Sequence, residues 1–139
     1  MTVISDSLTV RTEGFNDMKD LTPEVAQKLA ASRLQAGIVT VFVAGSTGGV
    51  TTIEYEPGLE EDFSRLLEKI APSNLPYSHD KRWGDGNGFS HVRASLLGPS
   101  LTVPFADGRL SLGTWQQIVF VDFDNRPRVR TIVLQFLGE

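Results

Sequence analysis

Residues 114–139 read TWQQIVFVDFDNRPRVRTIVLQFLGE, and this stretch contains the clearest indications of the fold class. Two segments rich in β-branched and aromatic residues, 115–123 and 129–137, flank the turn residues Asp124 and Asn125, which predicts two strands. Each predicted strand is apolar on both faces, so both faces need cover. A second sheet or helices can supply one cover, and in a chain this short another subunit is a candidate for the other.

Hydrophobic periodicity and cap residues predict the rest of the chain. Helices are expected at 23–36, from Pro57 to the stop at Pro72, and at 89–97. Further strands are expected in the first dozen residues and at 38–44, 50–55 and 101–105, and a turn is expected at Asp107-Gly108. Because these strands form hairpins and do not alternate regularly with helices, we expect one mostly antiparallel α+β domain over residues 1–139.

The composition argues against several classes of function. The 139 residues carry 13 basic and 17 acidic side chains, so the net charge of −4 gives no overall basic surface for nucleic acid or an anionic membrane. Cysteine is absent, which excludes disulfides and thiolate chemistry. No segment has the pattern of a secretory signal or of a membrane-spanning helix of about 20 apolar residues. We therefore expect a cytoplasmic protein.

The two histidines of the chain form the first candidate centre. His79 lies in the polar segment 72–88, predicted to be a long loop, and His91 lies on the helix that follows. Acidic and polar residues surround them in sequence, and imidazole beside carboxylate can bind a metal such as zinc or act as an acid–base pair. The alternative is that both are ordinary surface or capping histidines. The neighbouring polar residues include Asp80, Asp85 and Asn87.

The glycine-rich segment GSTGG, residues 45–49, is the second candidate. Its amides and the hydroxyls of Ser46 and Thr47 could hold a phosphate, although the lysine and spacing of a P-loop are missing. A plain hairpin turn that needs positive φ is the favoured interpretation from these residues alone.

Three further features remain open on the residues alone. Glu54 lies on the predicted strand 50–55, next to residues that are expected to be half-buried, and its side chain can face a pocket or water. Trp115 is more typical of a core or an interface than of a ligand platform. Arg126, Arg128 and Arg130 alternate along one strand face and could bind phosphate, but a solvated face balanced by Asp122 and Asp124 is favoured.

Taken together, these segments resemble the YjbQ-like proteins, also called secondary thiamine-phosphate synthases. The resemblance runs in order through nearly the whole chain, and its most specific part is the string SHVRASLLGPSLTVP. The matching segments are VFVAGSTGGVTTIEYEP at 41–57, YSHD at 77–80, GNGFSHVRASLLGPSLTVPFADGRLSLGTWQQI at 86–118 and DFDNRPRVRTIVLQFLGE at 122–139.

The resemblance implies an antiparallel β-sandwich with two or three helices, assembled as a homotrimer with pockets near the subunit interfaces. It also implies a divalent metal, zinc before magnesium, and an activity that joins a pyrimidine pyrophosphate to a thiazole phosphate. Carried over by position, the metal ligands would be His79 and His91, and the catalytic groups Glu54 and Asp80. The groups that bind the substrate would be Ser46, Thr47, Asn87, Arg128 and Arg130.

The chain departs from the family pattern at two positions. Gly45 stands where many members have a histidine, and Phe89 stands where many have the first histidine of an H-S-H string. If a third histidine completes zinc coordination elsewhere in the family, then Glu54, an aspartate or water must do so here, or the affinity for the metal falls. Our leading hypothesis is a metal-assisted transferase or hydrolase for a small phosphorylated substrate. The alternative is a non-catalytic trimer that binds a metal or a small anion.

Overall fold

Two antiparallel sheets packed face to face form the body of the computed structural model, which describes residues 1–139. Helices pack on the outer face of the smaller sheet and close one edge of the sandwich. No helix is both long and apolar enough to cross a membrane. In chain order the elements are β1 Thr2–Thr12, β2 Asp17–Asp20, α1 Thr22–Ser32, β3 Gly37–Val43, β4 Gly48–Ile53, α2 Pro57–Ile70, α3 Ser78–Trp83, α4 Gly88–Leu97, β5 Ser100–Ala106, β6 Arg109–Leu110, β7 Gln117–Asp122 and β8 Arg128–Gly138.

The larger sheet has the strand order β1-β8-β3-β5-β6, and the smaller one has the order β2-β7-β4. Every strand pair is antiparallel. The prediction of a mostly antiparallel α+β domain is therefore confirmed. The hairpin turn at Asp107-Gly108 is confirmed too, because β5 pairs with β6 and both turn residues have positive φ, 51° and 69°.

Strand β7 has the two covers that its sequence predicts. Ile118 and Phe120 face the main core between the sheets, whereas Val119 and Val121 join a second apolar cluster with residues of α2 and α4. Strand β8 is covered on one face only within the chain. Its residues Ile132, Leu134 and Phe136 are buried in the main core, but Val129 on the opposite face remains 59% exposed.

Two predicted hairpins are wrong. Strand β3 pairs with β5 and β8, and β4 pairs with β7, so residues 44–47 carry the chain from one sheet to the other. Residues 123–127 likewise join β7 of the small sheet to β8 of the large one. The glycines of GSTGG do not have positive φ, contrary to the favoured turn. A Cβ at Gly48 would lie 2.6 Å from the Phe120 ring, so this glycine permits close packing instead.

The remaining differences concern short elements and ends. Strands β2 and β6 were not predicted, and helix α3 occupies part of the expected loop at 72–88. The chain therefore has four helices, and the expectation of two or three is wrong. Helix α1 ends at Ser32 because Arg33 adopts a left-handed conformation, four residues before the predicted end. Trp115 is not a core residue of the chain, since it is 72% exposed.

Candidate functional site

A cavity of about 190 Å³ lies between the segment that links β3 to β4 and the outer side of helix α4. Most of its lining is polar or glycine, which suits a small polar ligand better than an apolar one. The lining residues are Gly45, Ser46, Gly48, His91, Ala94, Ser95 and Pro99. The fold thus brings the GSTGG segment and His91, two candidates separated by more than 40 residues in sequence, to one cavity.

Three backbone amides of the GSTGG segment have no hydrogen-bond partner in the chain. The N–H groups of Gly45, Ser46 and Thr47 donate no hydrogen bond within the chain. Ser46 is exposed, so its hydroxyl is also available. Thr47 is buried and its hydroxyl is engaged, since it donates to Asp124 Oδ2 at 3.0 Å and accepts from Arg130 Nη2 at 2.6 Å. Of the two predicted hydroxyl groups, only that of Ser46 therefore faces solvent.

The two histidines lie against each other. His79 on α3 and His91 on α4 have ring centroids 4.2 Å apart with a tilt of 39° between the planes. Burial lowers the pKa of His91 and the neighbouring His79 lowers it further, against the opposing effect of nearby carboxylates. The imidazole of His91 is consequently neutral near pH 7 and can accept a proton or a metal ion.

His79 also lies between two carboxylates. Its Nδ1 is buried without a hydrogen-bond partner, 3.8 Å from Asp80 Oδ1 and 3.7 Å from Asp85 Oδ1. One donor atom from each of the three residues lies within 4.8 Å of the others. Ligands at zinc distances in a tetrahedral site are separated by roughly 3.3 Å, so these residues fit such an ion after small adjustments. His91 does not belong to this group of three, and its predicted role as a ligand stays a prediction.

The oxygen-rich composition of this set distinguishes between metals only partly. One imidazole nitrogen with two carboxylates fits zinc well, whereas magnesium takes mainly oxygen ligands and retains several waters. Asp80 Oδ1 also accepts a hydrogen bond from the Gly88 N–H at 2.8 Å, which fixes the carboxylate between α3 and α4. The structure places Asp80 beside His79 as a candidate metal ligand, and its predicted catalytic role stays a prediction.

Two buried aspartates connect the segments of the site, and sequence reasoning did not assign them to it. Asp122 and Asp124 are both fully buried. Asp124 accepts hydrogen bonds from the Thr47 hydroxyl at 3.0 Å, from Asn87 Nδ2 at 3.2 Å and from Arg128 Nε at 2.9 Å. One carboxylate therefore joins the GSTGG segment to the start of α4. The alternation of Asp122 and Asp124 before three alternating arginines is the only sequence signal that pointed to them.

The ionisation of Asp124 follows from these contacts. Burial raises its pKa, but hydrogen bonds from the Asn125 N–H and from the side chains of Asn87, Arg128 and Thr47 lower it more. The net pKa lies below the ordinary carboxyl value, so the group is charged near neutrality. Asn87 contributes only its amide nitrogen to this network. Its Oδ1 is buried and has no hydrogen-bond partner. That oxygen can accept a hydrogen bond from a ligand or a water molecule.

The three predicted arginines have different surroundings in the fold. Arg130 donates from Nε and Nη2 to Asp122 at 2.8 and 2.9 Å, and its side chain is only 13% exposed. Arg128 pairs with Asp124 and also lines a different groove with Arg11, Thr12 and Glu13. Arg126 precedes β8 and is exposed. The favoured expectation of a solvated face is therefore wrong for Arg130. The carboxylates that balance its charge are nevertheless the expected ones, Asp122 and Asp124.

Glu54 is not brought to the cavity within one chain. It follows the last residue of β4, whereas Gly48 at the cavity begins that strand, so the two lie roughly 20 Å apart along the strand. Glu54 is also exposed, which corresponds to the solvent-facing alternative. A catalytic role for Glu54 in the same chain as His91 would require a long-range movement or a second subunit.

Comparison with known proteins identifies the family. The model of the family described as UPF0047 protein YjbQ-like matches residues 6–139. A UPF0047 protein of Archaeoglobus fulgidus is 38% identical over 130 residues, covering 94% of this chain and 98% of the relative. The UPF0047 protein YugU of Bacillus subtilis is 32% identical over 134 residues, covering 95% of this chain and 98% of the relative.

Solved structures show the same architecture. A crystal structure of a YbjQ-like protein of unknown function from Sulfolobus solfataricus superposes with a TM-score of 0.93 at 32% identity, covering 99% of both chains. A crystal structure of a hypothetical protein from Aeropyrum pernix has a TM-score of 0.90 at 35% identity, covering 98% of this chain and 99% of the other. The family match and these likenesses extend across both sheets and the cavity. This chain belongs to the UPF0047 family of YjbQ-like proteins.

Proposed function

We propose that the protein binds a divalent cation beside a small phosphorylated ligand and acts on that ligand. The observation that carries the proposal is the placement of His79. Its unpartnered Nδ1 lies between Asp80 and Asp85, while its ring stacks on His91, which lines the cavity with free backbone amides. A cation held by His79, Asp80 and Asp85 would thus lie close to an anion bound in the cavity beside His91.

The chemistry of the residues supports a role in a reaction at a phosphoryl group. A bound divalent cation would supply Lewis-acid polarisation of a phosphoryl oxygen. The amides of Gly45 and Ser46 would bind the anion, and the Ser46 hydroxyl would orient it. His91, neutral near pH 7, would move a proton to or from the ligand. Asp124 would maintain the separation of the amide segment and α4 through Thr47 and Asn87.

Zinc binding tests the cation part of the proposal. We expect wild-type protein to retain about one zinc per chain after dialysis, measured by elemental analysis. His79→Ala and Asp80→Asn should each lose the metal while keeping the circular dichroism spectrum. Asp62→Asn is the matched control, because Asp62 is an exposed acid of α2 that contacts only Arg65. Wild-type protein that binds neither zinc nor magnesium would rule out the cation site. Loss of zinc in His91→Ala as well would support the predicted role of His91 as a ligand.

Thiamine-phosphate synthesis is the specific reaction suggested by the resemblance. The reaction needs two substrates together, whereas the cavity of about 190 Å³ in one chain is below the roughly 300–1,000 Å³ typical of sites for drug-sized ligands. Both substrates would therefore require a site extended by another subunit. Rescue of a thiamine-requiring strain by the wild-type gene, lost in His91→Ala, would support this activity. Absence of rescue and of product in vitro, with metal and phosphate still bound, would favour the non-catalytic binding protein.

A homotrimer fits the uncovered face of the larger sheet. Val3, Leu137, Ile38 and Pro104 are in register across four neighbouring strands and form an exposed apolar row. Exposed apolar rows of this kind are typical of subunit contacts. We expect light scattering in dilute buffer near pH 7 to give a particle mass of three chains. Leu137→Arg should dissociate the particle, whereas Glu24→Arg, on the exposed side of helix α1, is the control because that helix packs on the core side of the sheet. A wild-type monomer would contradict the proposal.

A further inference from the structure

One nitrogen of Arg130 is not used by the chain. Nε and Nη2 both donate to Asp122, and Nη2 also donates to the Thr47 hydroxyl. Nη1 makes no hydrogen bond within the chain. It lies next to Gly45, 3.3 Å from the position that a Cβ on this residue would take. Because Gly45 lines the cavity, the unused edge of the guanidinium adjoins the region of the free amides.

The charge of Arg130 is largely compensated before any ligand binds. Asp122 and Asp124 are fully buried, and they oppose the two arginines Arg130 and Arg128. Arg130 does not itself line the cavity, but its Nη1 borders Gly45, which does. The donors at this corner are therefore one cationic N–H edge and three neutral groups, the amides of Gly45 and Ser46 and the Ser46 hydroxyl. A set of this kind matches one tetrahedral oxyanion, whose oxygens can each accept from a different donor. It does not match the higher charge of a pyrophosphate.

The conformation of Gly45 points to the same conclusion. Its φ is outside the left-handed region, so the backbone does not require glycine at this position. The nearest atoms to a Cβ would be Arg130 Nη1 at 3.3 Å and a Val43 methyl carbon at 3.9 Å, and neither distance implies a severe clash. A side chain here would fit with a small adjustment, but it would cover Nη1.

We infer that Gly45 and Arg130 Nη1 form the anion-recognition point of the cavity, selective for a ligand with a single terminal phosphate group. The inference rests on the proposed function and adds to it the class of substrate, a phosphate monoester, and a residue that sets specificity. Gly45 acts by leaving the guanidinium edge uncovered, and Asp122 acts as a positioning residue by holding the other two nitrogens.

Calorimetric titrations with inorganic phosphate, methyl phosphate and pyrophosphate test this inference on metal-free protein, so that the cation site does not contribute. We expect Gly45→Ala to bind phosphate about tenfold to a hundredfold more weakly than wild type, as expected for loss of one charge-assisted hydrogen bond. Gly45→Val should bind more weakly still. Gly113→Ala is the matched control, because this exposed glycine also lacks a left-handed φ and a Cβ there would have no neighbour closer than 3.7 Å. All variants should keep the melting temperature of wild type within about 3 °C, which separates occlusion from unfolding.

The possible outcomes separate the inference from the function on which it rests. If wild type binds phosphate and Gly45→Ala binds it equally well, the recognition point is wrong and the phosphate-binding function stands. If pyrophosphate binds wild type more than tenfold tighter than phosphate and methyl phosphate, the single-phosphate class is wrong. If wild type binds none of the three anions, the inference and the phosphate part of the proposed function both fail. Weaker binding in Gly45→Ala with an unchanged melting temperature supports the inference.

Discussion

Replacing Arg130 with methionine should destabilise the protein far more than replacing an exposed arginine. Arg130 donates two hydrogen bonds of 2.8 and 2.9 Å to Asp122, a carboxylate with no exposed surface. Without the arginine, Asp122 keeps only the bonds from the Thr12 hydroxyl and the Asp124 N–H. Removing one partner of a buried ion pair costs about 3–5 kcal/mol because the other charge stays buried. That loss is a large part of a total stability of about 5–15 kcal/mol.

Urea unfolding followed by far-ultraviolet circular dichroism measures this loss at pH 7 and one fixed protein concentration, since subunit association would make stability depend on concentration. Arg65→Met is the control, because Arg65 contacts Glu61 and Asp62 on the exposed face of α2. The control should cost about 1 kcal/mol or less. Adding Asp122→Asn to Arg130→Met should restore part of the lost stability by removing the uncompensated charge. A difference below about 1 kcal/mol between the two arginine variants would refute the reasoning.

Three further predictions concern packing, pH and a helix end. Gly48→Ala would put a Cβ 2.6 Å from the Phe120 ring and should cost about 1–3 kcal/mol in urea unfolding, whereas an unchanged midpoint would show that the ring moves freely. Because the pKa of Asp124 is lowered, its stabilisation is present above about pH 3.9 and is lost as pH falls through the lower folded value. Thermal melts from pH 5 to 2 should therefore decline less in Asp124→Asn, and parallel declines would contradict this. Arg93→Met leaves the Ala71 carbonyl without its two guanidinium bonds and should lower the unfolding free energy by about 1–3 kcal/mol, an expectation that an unchanged urea midpoint would refute.

The predicted elements were reliable where the signal was local. The helix that begins at Pro57 was located from a proline at the first helical position and a single apolar stripe. The turn at Asp107-Gly108 was located because these residue types tolerate positive φ. By contrast, β6 contains only two residues and β2 only four, which is too short for a periodic pattern.

The candidate site was predicted in part. The chain order placed His79, Asp80 and Asp85 within seven residues, so their proximity in space follows from local chain geometry. The resemblance brought Ser46 and His91 into one hypothesis, and the structure brings both to one cavity. The two buried aspartates were interpreted as charges on a solvated strand face. Their actual surroundings depend on β7 lying between the two apolar clusters.

The sequence by itself determined the longer elements and the apolar faces of this protein, because propensities, caps and periodicity act over a few residues. Only the tertiary structure decided which strands pair, since β3 and β4 are consecutive in sequence yet belong to different sheets. The same long-range packing brings Thr47, Asn87 and Asp124 together through hydrogen bonds that span 77 and 37 residues. Such contacts form when the buried surfaces of distant segments meet, and no pattern within one segment encodes that meeting.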